Sequence, residues 1–272
     1  MLRTSSRATA LITVTFFAMA VAPNLTRATE TDVKQVHKTL ALDPAGFLTV
    51  ETYKGAVSVH TWDKAEIDIH ARVEPDGDSA GQKQAVEQTE VRIEGSGSAV
   101  HVKSDYSKLE GRSWPNSWFD WESRVLPFVR YEIHMPRTAR LKIKDYKSDI
   151  RVDGLRGALD VDTYKGTSVI SSLEGPLALH TYKGEARVAF ANVAGPSRVD
   201  TYKGDVEIAL PPGKGVTLES ELGRHGTLDV DPAVTVGFRS SPAHHEHYRG
   251  AVNGGGPELR LKTFKGTFRL RS

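Results

Sequence analysis

Apolar and polar residues alternate in short runs along most of the chain: Leu48 and Val50, Val57 and Val59, Leu141 and Ile143, Ile150 and Val152, Leu159 and Val161, Leu177 and Leu179, Val206 and Ile208, Leu259 and Leu261, Phe268 and Leu270. A period of two marks strands with one buried face and one in water. The residues between, such as Arg151, Asp160, Asp162, His180, Asp200 and Glu207, then face solvent. The pattern predicts an all-β protein.

Between paired runs stands a recurring tetrapeptide: Thr52-Tyr53-Lys54-Gly55, Thr163-Tyr164-Lys165-Gly166, Thr181-Tyr182-Lys183-Gly184 and Thr201-Tyr202-Lys203-Gly204, with variants Asp145-Tyr146-Lys147-Ser148 and Thr263-Phe264-Lys265-Gly266. The fourth positions from 148 to 204 advance by 18, 18 and 20 residues, and the 62 residues to Gly266 correspond to about three more such steps. Glycine loops separate the units, as at Asp153-Gly154-Leu155-Arg156-Gly157 and Ser172-Leu173-Glu174-Gly175-Pro176. Strand, corner, strand and loop in about 18–20 residues predict a single-stranded, β-helix-like β-solenoid with strands about 4.8 Å apart. A β-sandwich or hairpin stack is the alternative, but it gives no reason to repeat the same residues at the same step. Corner glycines are expected at positive φ, and the corner threonines continue the inward register, predicting a buried hydroxyl column bonded to corner backbone.

Residues 75–135 break the rhythm and read as an amino-terminal insertion or cap. Gln82–Gln88 suggests a short helix, and Val91–Ile93 with Val100–Val102 suggests a hairpin around a Gly-Ser turn. Glu110–Glu122 carries Trp114, Trp118, Phe119 and Trp121, and alternation resumes at Val129, Tyr131, Ile133 and Met135.

Composition adds compartment and partner class. Residues 1–28 read as a signal peptide, with Arg3 and Arg7 preceding an apolar run from Ala8 to Ala22 that is short for a membrane span. Removing those residues takes out three arginines and no acid, so the formal charge falls from +2 to −1. Nucleic-acid binding is therefore not expected. The chain has no cysteine, which excludes disulfides and an acylated-cysteine anchor. Residues 29–272 are expected to form one periplasmic or secreted domain with the insertion at 75–135, and no transmembrane segment follows Ala22.

The order of parts resembles a family of bacterial exported β-strand-repeat domains of unknown function, labelled candidate adhesins. The resemblance rests on the export signal, the strand pair from Phe47 to Val73, the insertion, Tyr131-Glu132-Ile133-His134-Met135-Pro136, the glycine-punctuated repeats, Leu210-Pro211-Pro212-Gly213 and the closing unit from Leu259 to Leu270. It implies a solenoid-like fold outside the cytoplasm, adhesion or scaffolding, and no catalytic residues. This chain departs from the looser family pattern in keeping Tyr-Lys at nearly every corner.

Those corners are the leading contact candidates. Alternation points Tyr146, Tyr164, Tyr182 and Tyr202 outward as a row able to meet sugar rings, while Lys147, Lys165, Lys183 and Lys203 attract carboxylate or phosphate groups of an envelope polysaccharide, or a surface protein. The structural reading, which a duplicated repeat favours, is that the rings stabilise it by stacking on one another, with the lysines solvated at the edge. Trp114, Trp118 and Trp121 form either a contact cluster or a lid over the core. His244, His245 and His247 lack the one-turn spacing of helical zinc motifs and read as a polar loop, so neither metal nor cofactor is expected. Gly213-Lys214-Gly215 lacks phosphate-loop spacing and no nucleophile elbow is present, so the reading is of a non-enzyme. The alternatives are a polysaccharide-cleaving β-helical enzyme using Asp160, Asp162 or Asp200, and a structural protein self-associating through its end strands.

Overall fold

The computed structural model describes residues 33–77, 80–109, 126–231, 236–243 and 245–271. Among these residues the chain runs through β1 (Lys34–Glu51), β2 (Lys54–Trp62), β3 (Glu66–Glu74), helix α1 (Ala80–Gln88), β4 (Glu90–Asp105) and β5 (Phe128–Pro136). The repeats follow as β6 (Arg140–Asp153), β7 (Leu159–Lys165), β8 (Thr167–Leu173), β9 (Leu177–Thr181), β10 (Glu185–Phe190), β11 (Ser197–Lys203) and β12 (Val206–Ala209). The chain closes with β13 (Val216–Val230), β14 (Val236–Ala243), β15 (His245–Val252) and β16 (Glu258–Arg271). The proposed signal peptide lies outside the described residues.

The repeat period becomes parallel register. Leu141 pairs with Leu159 and Leu159 with Leu177, each 18 residues on, while Thr181 pairs with Thr201. Strands before the corners (β7, β9, β11) form one parallel ladder and strands after them (β8, β10, β12) form another. Inward side chains of both ladders, among them Ile143, Val161, Leu179, Val199 and Leu261 from one and Val152, Ile170, Val188, Ile208 and Leu270 from the other, are at most 2 % exposed. Outward positions carry the charges, which is why these parallel strands alternate where doubly covered ones read as unbroken apolar runs.

The single-stranded solenoid expected from the period is overturned. The two ladders join at both ends, because β6 and β16 run through their corners without interruption. The first half of β6 pairs with β7 and its second half with β8. Likewise β16 pairs with β11 through Leu259–Lys265 and with β12 through Phe268–Arg271. Hydrogen bonding thus circulates through β6, β7, β9, β11, β16, β12, β10, β8 and back to β6, a closed eight-strand parallel β-barrel with further strands attached. Closure leaves none of the eight with a free edge.

Two local expectations also change, and a third is met. The 62 residues between Gly204 and Gly266 hold no intervening steps: β16 lies directly against β11, Thr201 paired with Thr263, and β13 flanks β16 while β14 and β15 continue antiparallel. Val91 to Val102 is continuous in β4, and the chain folds back on itself at Gly95 and Gly97, both at positive φ, as the expected Gly-Ser turn requires: a Cβ on Gly95 would lie 2.3 Å from Ala99 O, and Arg92 pairs with Asp105 and Glu90 with Lys108 across the turn. His245 and His247 sit on strand β15, not in a loop, while His244 lies outside the described residues. At the amino-terminal end, β1 pairs antiparallel with β3 and parallel with β4 and β6, so β1, β3, β5, β2 and β6 form a second closed circuit.

Candidate functional site

At each corner the backbone sends three consecutive side chains to different places. The first residue points inward: Thr52, Asp145, Thr163, Thr181, Thr201 and Thr263 are all buried and form the expected column. Its bonding is only partly as expected. Thr163 Oγ1 donates to Lys165 O at 3.0 Å, and Thr181 Oγ1 accepts from Gly184 N at 3.0 Å. Thr201 and Thr263 hydroxyls have no hydrogen-bond partner among the described residues.

The second residue builds one continuous stack. Ring centroids lie 4.7 Å apart for Tyr53–Tyr146, 4.8 Å for Tyr146–Tyr164 and Tyr164–Tyr182, 4.7 Å for Tyr182–Tyr202 and 5.2 Å for Tyr202–Phe264, with planes within 9° of parallel. That spacing equals the distance between strands, so the ladder itself sets the stacking, and the rings are necessarily offset. The expectation that all four tyrosines face outward fails at Tyr146, which is 2 % exposed between the rings of Tyr53 and Tyr164. Exposure rises along the row, with Tyr164 and Tyr182 half-buried and Tyr202 and Phe264 each 43 % exposed. Since neighbours cover the ring faces, the middle of the row offers ring edges; face-on sugar stacking is confined to its end. Tyr53 and Phe264 complete the row, and their tetrapeptides already marked them in the sequence.

The third residue gives a column of lysines. Lys54 pairs in register with Lys147, Lys147 with Lys165, and Lys203 with Lys265. Lys183 belongs to the same column, its amide donating to Tyr164 O and its Nζ lying 5.5 Å from the Tyr182 ring centroid. Lys54 is held by Asp76 at 2.5 Å, but Lys147, Lys183, Lys203 and Lys265 form no ion pair among the described residues. Elsewhere on the outward face cations meet anions on neighbouring strands: Lys142 with Asp160 at 2.5 Å, Lys144 with Glu51 at 3.3 Å, Arg260 with Glu219 at 3.0 Å and Lys262 with Glu221 at 2.9 Å.

The fourth position is shaped by close approach as much as by φ. Gly166 has φ 112° and a Cβ there would lie 2.1 Å from Ser148 O. Gly204 lies outside the left-handed region, yet a Cβ would fall 2.0 Å from Gly184 O on the strand beneath. Alongside the rings runs a groove of about 290 Å³, with Lys144, Asp162 and His180 on one wall and Tyr146, Tyr164 and Tyr182 on the other. Trp114, Trp118 and Trp121 lie outside the described residues. Of the carboxylates considered for catalysis, Asp160 is bound to Lys142, Asp162 lies 3.2 Å from His180 and Asp200 is bound to Arg198.

No protein-family model matches the chain, and no curated protein matches it at a significant level. Among solved structures it is similar to a proposed cell adhesion protein from Clostridium sporogenes, at 10 % identity and a TM-score of 0.46, covering 88 % of this chain and 99 % of that one. It is also similar to proposed adhesins from Bacteroides fragilis, at 12 % identity, a TM-score of 0.31 and coverage of 87 % and 97 %; and from Parabacteroides merdae, at 10 %, 0.30 and coverage of 88 % and 97 %.

Proposed function

We propose that this is a non-catalytic, exported envelope protein that binds a linear anionic polymer, an acidic polysaccharide of the cell envelope, along the Tyr-Lys row in an adhesin-like or scaffolding role. The observation that carries this reading is the lysine column. Elsewhere on this face lysines and arginines meet carboxylates on neighbouring strands, whereas Lys147, Lys183, Lys203 and Lys265 form no ion pair among the described residues, and the last three stand on consecutive strands of the ladder, so each raises the cost of the next. A chain of regularly spaced anions relieves that repulsion through many weak contacts acting together, and the groove beside the tyrosine edges gives such a chain an apolar bed. Of the carboxylates that line the groove, Asp145 is bonded to Ser148 and Thr163 and Asp162 lies beside His180. Export rests on the basic start and apolar run of residues 1–22. Among the described residues no helix is long and apolar enough to cross a membrane.

Binding of the protein to immobilised acidic and neutral polysaccharides, at low and high salt, tests the reading. Wild type is expected to retain only the acidic polymer, weakening as salt rises. A Lys147→Gln, Lys183→Gln, Lys203→Gln triple variant is expected to lose that retention. Equal retention by the variant, or none by wild type, rejects the row as a contact surface.

A further inference from the structure

On the outward face of the amino-terminal strands, β1 and β3 pair antiparallel with His37 opposite His70 and Thr39 opposite Asp68. Residues two apart on a strand share a face, so Asp68 and His70 rise on the side where His37 rises. The two imidazoles stack with centroids 3.9 Å apart and planes 13° from parallel. Both turn Nε2 to one carboxylate: His37 Nε2 lies 2.7 Å from Asp68 Oδ1 and His70 Nε2 2.9 Å from Oδ2. Thr39 Oγ1 fixes that carboxylate by donating to Oδ1 at 2.6 Å. Asp68 is largely covered at 19 % side-chain exposure, while the rings stand at 57 % and 50 %.

The neutral imidazole is the form that binds metals. The three ligand atoms lie within 4.8 Å of one another. Bonds of about 2.0–2.2 Å in a tetrahedral site need ligand atoms roughly 3.3 Å apart, so admitting an ion opens the two present N···O contacts by a few tenths of an ångström and swings the two exposed rings out of their parallel stack, so that both Nε2 lone pairs aim at one point. Nitrogen ligands select against calcium and magnesium and favour late first-row metals. Thr39 supplies the outer hydrogen bond that orients a ligating carboxylate. His134, which faces Asp68 from β5, is held instead in a stack with His60 and Trp62, leaving the remaining coordination to water.

We propose that His37, Asp68 and His70 form a binding site for a divalent Zn²⁺ or Cu²⁺ ion that clamps β1 to β3. This site is independent of the corner row.

Titration of tag-free full-length protein with Zn²⁺ at neutral pH, by calorimetry and by thermal unfolding, tests it. Wild type is expected to bind one ion and to melt at higher temperature when loaded, since only the folded chain brings the ligands together. His37→Gln with His70→Gln is expected to abolish both effects, Asp68→Asn to weaken binding at least tenfold, and His245→Gln with His247→Gln to leave it unchanged. Paramagnetic resonance of the Cu²⁺ form is expected to count two imidazole nitrogens. The exposed rings let the variants fold, and the metal-free melting temperature checks this; should the double variant not fold, His70→Gln alone is read for a tenfold loss. Absence of saturable one-to-one binding at micromolar concentration, or undiminished binding by the His37/His70 variant, overturns the site.

Discussion

Asp145 and Ser148 replace threonine and glycine at one corner as a bonded pair. Ser148 N donates to Asp145 Oδ2 at 2.7 Å and Ser148 Oγ to Oδ1 at 2.6 Å. In the Thr181 corner a single bond does this work, from Gly184 N to the threonine hydroxyl. Thr163 Oγ1, from the next strand, adds a third donor to Asp145 Oδ2 at 3.0 Å. The carboxylate therefore organises its own corner and the one above it.

Burial pushes the Asp145 carboxyl up to about 6 from its ordinary 3.8, although the bonds from Ser148, Thr163 and the Tyr146 amide pull the other way. The unfolded chain releases this proton first, so between pH about 4 and about 6 the folded state holds more protons and stability falls as pH rises. The contribution is complete below about 3.8 and lost through about 6, on the order of 3 kcal/mol. Asp68, Asp105, Glu90 and Glu219 are held low and act oppositely, losing stability as pH falls through the acid range. Urea unfolding of wild type and Asp145→Asn from pH 4 to 7 isolates the single group: wild type is expected to lose ground against the variant as pH rises, and parallel curves would refute the assignment.

Backbone approach, separately from φ, predicts a ranking among glycine-to-alanine changes. Gly204→Ala forces a methyl onto Gly184 O and is expected to cost about 3 kcal/mol. Gly213 has φ 72° but nothing within 4 Å, so alanine there carries only the conformational cost of about 1 kcal/mol. Gly81, in α1 with an open surround and no positive φ, is expected to gain about 0.5 kcal/mol as alanine. Denaturant midpoints measure all three, and a neutral Gly204→Ala would mean that the strands can part without loss.

The tetrapeptide made the ring row and the buried threonine column legible, because identical residues at a constant step must meet when strands pair in parallel. Closure of the barrel was hidden. Asp145–Ser148 and Thr263–Gly266 resemble the other corners, yet β6 and β16 pass through theirs unbroken, and only pairing with both ladders reveals it. Period alone also overfilled the stretch between Gly204 and Gly266, since spacing cannot distinguish three more steps from a meander laid beyond β16. The burial of Tyr146 depends on Tyr53, which belongs to a corner 93 residues earlier. His37, Asp68 and His70 carried only a weak signal: Asp68-Ile69-His70 shows two polar ligands on one strand face, but nothing local announces that β1 folds back to place His37 opposite.

If the rings stabilise the barrel by contact as well as by burial, neighbouring rings couple and distant ones do not. The Tyr164 and Tyr182 rings lie 4.8 Å apart at 9°, and a double-mutant cycle to alanine is expected to give a coupling of about 1 kcal/mol. The pair Tyr53 and Tyr182, three places apart in the row, is expected to couple by less than about 0.5 kcal/mol. Equal coupling in both cycles would mean that the substitutions disturb the whole ladder instead of one contact.

The threonine column predicts opposite signs for one substitution. Thr201 and Thr263 are paired in register, 4 % and 2 % exposed, and their hydroxyls lack hydrogen-bond partners among the described residues. Burying an unsatisfied hydroxyl is unfavourable, so valine, which keeps the shape without the oxygen, is expected to raise stability by about 1 kcal/mol at either position. At Thr163 the same change removes the proton shared between Lys165 O and the buried Asp145 carboxylate and is expected to cost about 2 kcal/mol. Urea midpoints at pH 7 decide it. A stabilising Thr163→Val would show that the carboxylate does not need this donor, and a destabilising Thr201→Val would mean that its hydroxyl makes a bond in solution.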